Sequence, residues 1–383
     1  MTHEAADLLL ETLRLHSDVE AAALGERWSA VHLAGLEALA TYEGCVLWLH
    51  RRLTDRRLFD AVPAAFAEWL ATRARHLAAK NLMVDAQRDE VVQILNELRV
   101  PHVLLKGAAR RLAADRYPYA DARATTDVDV LVPKHLALPT WTRFREAGFR
   151  APATALRQYD GHFHLPPLRN GRPVTVELHT STSSFVPPRV AWTRHESGQP
   201  ASCSGGATRI PAATELLWHA ITHAPLPLAH SFRLRYLQDA AVIWAAASDV
   251  DWTEIDARLA SDELPHPGLT RRWLGTAARL GSRPGAPRPL AALPALDVAK
   301  ALSWRLGVFR LPRTGGRRPP PPVWGPHPLS RGRRLLIDAA ARAELRLPLI
   351  PPRGTTPLLR AGRRAAAGAA RLCYGAWRLL RQA

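Results

Sequence analysis

The sequence predicts an α+β protein, in which N-terminal and C-terminal helical regions flank a small α/β core with a mixed β-sheet. Three observations carry this prediction. Residues 1–98 and 211–310 have apolar residues at three- and four-residue spacing, which is the period of helices. Between them, residues 99–210 contain short stretches with the two-residue alternation of strands, interleaved with helical stretches. Residues 311–383 are rich in Pro and Arg, which predicts a linker and a basic helical tail.

The helical period defines the elements of the two flanking regions. In the N-terminal region it predicts helices over residues 5–15, 29–42 and 63–98, and Pro101 marks the end of helical character after the last of these. In the C-terminal region it predicts helices over residues 212–223, 232–247, 252–259, 269–280 and 297–309.

The central region alternates between the two periods. Residues 101–106 predict a short buried strand that runs into a turn at Gly107, and residues 108–116 predict a helix. Residues 127–132 and 174–179 alternate polar and apolar residues, which predicts two further strands. A helix over residues 136–147 is predicted between these strands.

The net charge of +18 raises the question of nucleic-acid binding. Nearly all the basic residues are Arg, which together with abundant Ala, Pro and Leu indicates the codon bias of a GC-rich genome. Nucleic acid is therefore a less favoured partner, and the four lysines (Lys80, Lys106, Lys134 and Lys300) become more informative. Three scattered cysteines, no apolar run long enough to span a membrane and no basic secretion signal predict a cytoplasmic protein.

Two carboxylates at the start of a predicted strand are the strongest chemical signal. Asp127 and Asp129 are two residues apart, so on a strand both side chains project from the same face. Adjacent carboxylates repel each other unless a cation lies between them. Mg²⁺, with Mn²⁺ as the alternative, prefers such oxygen ligands and is usually bound together with substrate phosphates. The pair therefore predicts a metal site that takes a phosphorylated substrate.

A third carboxylate, Glu177, shares a face with His179 on the predicted strand over residues 174–179. If the two strands are neighbours, Glu177 completes a cluster with Asp127 and Asp129 that can hold two metal ions. We predict these three acids as the catalytic residues and metal ligands. The simpler interpretation of Glu177 is an exposed strand carboxylate. His179 is predicted to contact the nucleotide, or else to cap the edge of the sheet.

The residues ahead of the acid pair predict a phosphate-binding turn. Lys106 and Gly107 lie where a strand runs into a helix; glycine allows close approach of the backbone to a phosphate, and lysine adds a charge. Ala108 begins the helix, whose first N–H groups are predicted to face the phosphates. Arg123 is predicted to contact the triphosphate, unless it pairs with an acid such as Asp121. Thr126, beside the acid pair, completes the predicted nucleotide-binding residues.

These elements, in this order, resemble the DNA polymerase beta-like nucleotidyltransferase superfamily, which has a glycine-containing turn and a helix before an Asp-x-Asp strand. The resemblance is closer to a group described as uncharacterised bacterial nucleotidyltransferases, and it covers roughly residues 80–245. The segments that carry it are VLLKG (103–107), RATTDVD (123–129), VELH (176–179), LWHAITH (217–223) and LQD (237–239). The resemblance implies a mixed sheet flanked by helices, and transfer of a nucleoside monophosphate from an NTP. Where most of the wider superfamily has Gly-Ser or Gly-Gly at the turn, this chain has Lys-Gly-Ala.

The sequence thus predicts a Mg²⁺-dependent nucleotidyltransferase that uses an NTP and an unidentified acceptor (a small molecule, a peptide or a sugar) and releases pyrophosphate. Two alternatives stay open at this point. One is kinase-like phosphoryl transfer on the same scaffold. The other is a non-catalytic protein, antitoxin-like or binding a nucleotide or nucleic acid, that keeps the fold.

Three further features have less specific interpretations. His219 and His223 are four residues apart on a helix, but the Glu of a zinc protease and a third ligand are missing, which favours a helix face bordering the cleft. Asp239 is predicted to orient a substrate or to cap a neighbouring helix. The basic tail is predicted to be a solvated helix, with a membrane surface, a partner protein or nucleic acid as alternative contacts.

Overall fold

The computed structural model describes residues 2–16, 19–151, 162–183, 186–223, 233–246, 248–261, 264, 267–281, 298–299 and 302. All of these residues belong to one of the chain's two units, Met1–Gly325. The other unit, Pro326–Ala383, lies outside the described residues, as do the predicted linker and basic tail over residues 311–383. The predicted helix over residues 297–309 also lies outside them, apart from residues 298, 299 and 302.

The N-terminal region is helical, as predicted, but it is divided differently. Its helices are α1 (Thr2–Leu13), α2 (Ala21–Ala30), α3 (Leu36–Glu43), α4 (Val46–Asp55) and α5 (Ala64–Glu97). The single helix predicted over residues 29–42 is wrong, because Gly35 precedes α3 in the left-handed conformation with φ of 81° and breaks the helical path. Sequence reasoning also missed α4, which buries Leu49 and Leu53.

The central sheet is mixed, as predicted. It consists of β1 (Val103–Leu104), β2 (Asp127–Leu131) and β3 (Thr175–His179), in that spatial order. β1 pairs antiparallel with β2, and β2 pairs parallel with β3, so that Asp129 lies opposite Glu177. The parallel pair needs a crossover, which contains α7 (Lys134–Glu146).

The two faces of the sheet have different environments. One face, with Val128, Val130, Val176 and Leu178, packs into the main apolar core. On the opposite face, a small cluster of Val103, Leu105 and Leu131 lies under Trp192 of α8 (Pro188–Glu196). The acidic residues of β2 and β3 lie on this second face.

A β-hairpin that the sequence analysis missed precedes the C-terminal helices. Its strands, β4 (Gln199–Cys203) and β5 (Gly206–Ile210), pair antiparallel, and Gly206 has φ of 111° at the turn. β5 packs against α5 and β1 and so connects the hairpin to the core.

The C-terminal region confirms the remaining helices that the sequence predicts. They are α9 (Ala213–His223), α10 (Leu234–Ala246), α11 (Trp252–Ala260) and α12 (Pro267–Gly281). A single cluster of buried apolar residues runs from α1 through the sheet to these helices. The short helix α6 (Lys106–Arg110) lies between β2 and α9, where the C-terminal region meets the sheet. Within the described part of the chain, no helix is both long and apolar enough to cross a membrane.

Candidate active site

Asp127 and Asp129 share one face of β2, as the alternating sequence predicts. Val128 and Val130 point to the opposite face and are fully buried in the main core. Asp129 is also fully buried, whereas Asp127, the first residue of the strand, is half-buried and lines a cavity. The strand therefore holds one carboxylate inside the protein and one at an opening.

The two carboxylate oxygens of Asp129 have different surroundings. Oδ1 accepts hydrogen bonds from Lys106 Nζ at 2.7 Å and from His179 Nε2 at 2.8 Å. Oδ2 is buried and has no hydrogen-bond partner among the described residues. A buried charged oxygen without a partner is unfavourable by roughly 1–3 kcal/mol or more. Oδ2 is therefore an open ligand position for a cation.

Glu177 and His179 complete a tight group around Asp129. Glu177 Oε2 lies 3.4 Å from His179 Nε2, and the side chain of Glu177 is 22% exposed. The potential ligand atoms of Asp129, Glu177 and His179 all lie within 4.8 Å of one another. Whereas the sequence grouped Asp127 with the other two acids, the structure places His179 in the tight group and Asp127 beside it.

His179 bridges the two acids of this group. Its other ring nitrogen, Nδ1, lies 3.3 Å from the carbonyl oxygen of Ser181, so that both nitrogens face acceptors. Burial and the charge of Lys106 lower the pKa of His179, but its hydrogen bonds to Asp129 and Glu177 outweigh them and raise the pKa above its ordinary value. His179 is fully buried between the two carboxylates, at the end of β3, which is an edge strand of the sheet.

Asp127 carries an unbalanced negative charge. Burial, together with repulsion from Asp129 and Glu177, raises the pKa of Asp127 from 3.8 to about 6, although Lys106 and Arg123 act in the opposite direction. A cation between the carboxylates removes this repulsion. Carboxylate oxygens, one of them buried and unpartnered, are the donor set that suits a hard divalent cation such as Mg²⁺ or Mn²⁺. The residues present therefore fit the metal that the sequence predicts.

Lys106 lies among the carboxylates. Its ammonium group pairs with Asp129, and the side chain is only 16% exposed. Burial lowers the pKa of Lys106, but the charge of Asp129 and the hydrogen bond to it raise the pKa above its ordinary value. The helix α6 begins at Lys106 and ends at Arg110, whereas the sequence predicted a helix over residues 108–116. The predicted phosphate turn is thus a single short helix whose lysine is already paired.

Gly107 has no side chain, which leaves room for the side chains of Arg123 and Thr125. A Cβ atom at this position would lie 2.5 Å from Arg123 Nη1 and 2.5 Å from Thr125 Cγ2. Close packing of Arg123 and Thr125 therefore requires glycine at this position. Ala108 is 1% exposed and belongs to the apolar core, because α6 turns this residue towards the interior.

Arg123 is held by a buried carboxylate of the C-terminal region. Its Nε lies 2.9 Å from Asp239 Oδ1, and Arg110 Nη1 lies 2.7 Å from Asp239 Oδ2. Tyr117 also donates its hydroxyl hydrogen to Asp239 Oδ1, at 2.7 Å. Asp239 is fully buried, and despite burial the two arginines hold its pKa below the ordinary value. The sequence offered a pair with an acid such as Asp121 as the alternative for Arg123; its partner is instead Asp239, and Asp121 pairs with Arg51.

Asn81 of α5 fixes the segment that leads into β2. Its Nδ2 donates to the carbonyl oxygen of Arg123 at 2.9 Å, and its Oδ1 accepts from the backbone N–H of Thr125 at 2.9 Å. Asn81 is 3% exposed, so this pair of hydrogen bonds is shielded from water. No sequence pattern points to Asn81, which lies within a long helix and more than forty residues away.

A cavity of about 50 Å³ opens beside Asp127. Four cationic side chains contribute to its lining, from Lys106, Arg110, Arg123 and Arg235. The other lining residues are Ala124, Thr125, Thr126, Asp127, His219, Ala220, His223 and Tyr236. The cavity thus includes four of the predicted site residues and adds residues of α9 and α10. The other five predicted residues do not line it: Gly107, Ala108, Asp129, Glu177 and His179.

His219 and His223 border this cavity, which is the interpretation that the sequence favoured. Their ring centroids are 5.4 Å apart, and His219 Nε2 is buried without a hydrogen-bond partner. Burial lowers the pKa of both histidines and keeps them neutral. Among the described residues, the group able to hold a metal is the one around Asp129 and does not include these histidines. Nothing in the described part of the chain supports a zinc site here.

Comparison with known proteins adds one finding. A family model described as an uncharacterised nucleotidyltransferase matches residues 30–269, which is more than half of the 383-residue chain. The matched range contains the sheet, the carboxylates and the residues that line the cavity. No curated protein and no solved structure matches the chain. The match confirms the resemblance that the motifs indicated.

Proposed function

The chain belongs to the uncharacterised nucleotidyltransferase family, and on this basis we propose that it transfers a nucleoside monophosphate from an NTP to an acceptor. One observation carries the proposal. Asp129 Oδ2, which has no hydrogen-bond partner among the described residues, belongs to a carboxylate group that contacts Lys106, and Lys106 and Asp127 line a cavity to which four cationic side chains contribute. A metal-ion position next to a cationic cavity is the arrangement that a metal-bound triphosphate requires.

Three carboxylates would hold the metal in this proposal: Asp127, Asp129 and Glu177. A bound Mg²⁺ supplies neutralising charge for the phosphate oxygens as negative charge builds up in the transition state. The cavity side chains of Arg110, Arg123 and Arg235 bind the triphosphate, which they keep in line with the acceptor.

The reaction transfers the nucleoside monophosphate, which contains the α-phosphorus, from the NTP to the acceptor. The acceptor oxygen forms a bond to the α-phosphorus as the bond between the α-phosphorus and its bridging oxygen to the β-phosphate breaks. Pyrophosphate leaves with the electron pair of the broken bond. Glu177, whose side chain is 22% exposed and whose Oε2 lies 3.4 Å from His179 Nε2, accepts the acceptor's proton.

Mass spectrometry tests this proposal. The protein is incubated with each NTP, Mg²⁺ and a lysate of the source cells, and acceptors are sought by a gain in mass. We expect the gain of a nucleoside monophosphate, lost in Asp127→Asn and retained in Asp121→Asn, whose carboxylate is exposed and paired with Arg51. A gain of one phosphate would instead establish the kinase-like alternative. Equal activity of the two variants would contradict the assignment of Asp127.

A further inference from the structure

Lys106 occupies a position within the carboxylate group where a metal ion could also lie. Its Nζ is 2.7 Å from Asp129 Oδ1, and the side chain is 16% exposed. Glu177 and Asp127 are both close enough for their charges to act on the same ammonium group. A compact cation therefore already lies among the three acids in the protein itself.

The backbone holds Lys106 in this position at an energetic cost. Lys106 has φ of 47°, in the left-handed region that residues other than glycine seldom adopt. Such a conformation is strained and persists only where the surroundings enforce it. Here the preceding residue, Leu105, donates its N–H to the carbonyl oxygen of Asp129 at 2.9 Å. The backbone of Leu105 and the side chain of Lys106 thus both donate hydrogen bonds to Asp129.

Hydrogen bonds to Asp129 leave few positions for metal ions. A carboxylate oxygen has two lone-pair directions, and those of Oδ1 are taken by Lys106 at 2.7 Å and His179 at 2.8 Å. Only Oδ2 remains, since it is buried and nothing in the described part of the chain hydrogen-bonds to it. A carboxylate that bridges two metal ions uses one oxygen for each ion. Asp129 can therefore bind one ion while Lys106 and His179 stay in place.

We propose that the Lys106 ammonium permanently occupies one of the two cation positions of this site, so that the enzyme works with a single divalent cation at Asp129 Oδ2. This inference rests on the proposed nucleotidyl transfer and changes its metal requirement from the two ions that the acid cluster predicts. Lys106 keeps its proton throughout and forms no covalent bond. Its role is to neutralise Asp129 at Oδ1, while Asp127, Asp129 Oδ2 and Glu177 would hold the single ion that accompanies the triphosphate.

Counting bound Mn²⁺ tests the inference. The full-length protein is saturated with an NTP analogue whose α,β-bridging oxygen is replaced by methylene, and free Mn²⁺ is measured by electron paramagnetic resonance. We expect one bound Mn²⁺ per chain in the wild type and two in Lys106→Ala, because the substitution frees a lone pair of Oδ1. The matched control is Lys134→Ala, since Lys134 is exposed at the start of α7, and it should bind one.

Two Mn²⁺ ions in the wild type, or one in folded Lys106→Ala, would overturn the role of Lys106 and leave the proposed transfer intact. Absence of analogue-dependent Mn²⁺ binding in the wild type would overturn both. If Lys106→Ala does not fold, anomalous scattering from wild-type crystals that contain Mn²⁺ and the analogue shows how many manganese ions are bound and where Lys106 lies. One manganese peak with Lys106 Nζ still on Asp129 supports the inference, and two peaks, or a lysine moved onto the phosphates, refute it.

Discussion

Replacing Asp127 by Asn should stabilise the metal-free protein at neutral pH. Burial and repulsion from Asp129 and Glu177 raise the pKa of Asp127 from 3.8 to about 6. Because the folded state binds this proton more tightly than the unfolded state, ionisation of Asp127 destabilises the fold as the pH rises through this interval. Asparagine keeps the shape of the side chain and removes the charge.

The size of the effect depends on the difference between the two pKa values. The rise in the pKa of Asp127 to about 6 lowers the free energy of unfolding by about 3 kcal/mol at pH 7.5, and by only about 1 kcal/mol at pH 4.5, where the folded carboxyl is protonated. Partial exposure of Asp127 makes these figures upper limits. The gain at pH 7.5 should raise the melting temperature by several degrees, at roughly 2–4 °C per kcal/mol.

Thermal unfolding in EDTA at pH 7.5 and 4.5 measures this effect. Asp127→Asn should melt above the wild type at pH 7.5 and close to it at pH 4.5. The matched control Asp121→Asn, which removes an exposed carboxylate from the same loop, should not rise at either pH. A melting temperature of Asp127→Asn at or below the wild type at pH 7.5 would refute the reasoning, as would equal gains at both pH values.

Two further substitutions test the supports of the site. Asp239→Asn leaves Arg110 and Arg123 buried without a countercharge and should cost about 3–5 kcal/mol, whereas Asp249→Asn, at a half-exposed ion pair, should cost less than about 1 kcal/mol. Equal losses of melting temperature in Asp239→Asn and Asp249→Asn would contradict the expectation that the buried ion pairs contribute more to stability than the half-exposed one. Gly107→Ala places a Cβ 2.5 Å from Arg123 Nη1 and should cost about 1–3 kcal/mol and weaken NTP-analogue binding. Gly268→Ala, with open space around it, should behave as wild type; unchanged stability and binding in Gly107→Ala would show that Arg123 can move.

The fold was predictable where a repeating pattern covers a whole element. Helices α5 and α9–α12 keep an apolar period along their length, and β2 and β3 alternate strictly, so the sequence predicts their positions. The β4–β5 hairpin was missed because Gln199–Cys203 contains Pro, Ala and Ser in place of branched apolar residues. The break between α2 and α3 begins at Val31, which is extended, and ends at the left-handed Gly35, which propensity does not distinguish from a tolerated helical glycine.

The site was predictable to the extent that its residues are close in sequence. The spacing of Asp127 and Asp129 fixes their common face on any strand. Pairings between distant residues leave no such pattern: Asp239 meets Arg123 across 116 positions, and Lys106 meets Asp129 across 23. Sequence reasoning therefore identified Lys106 and Arg123 as charged candidates but did not identify their carboxylate partners, which become visible only in the folded chain.

Binding of a fluorescent NTP analogue tests the central claim, that these carboxylates hold the cation that carries the nucleotide. Affinity is measured for the wild type, Asp127→Asn and Asp121→Asn, each with Mg²⁺ and with EDTA. We predict that Mg²⁺ tightens binding at least about tenfold, or about 1.4 kcal/mol, in the wild type and Asp121→Asn but not in Asp127→Asn. Equal affinities with Mg²⁺ and with EDTA in the wild type, or a full response to Mg²⁺ in Asp127→Asn, would contradict this claim.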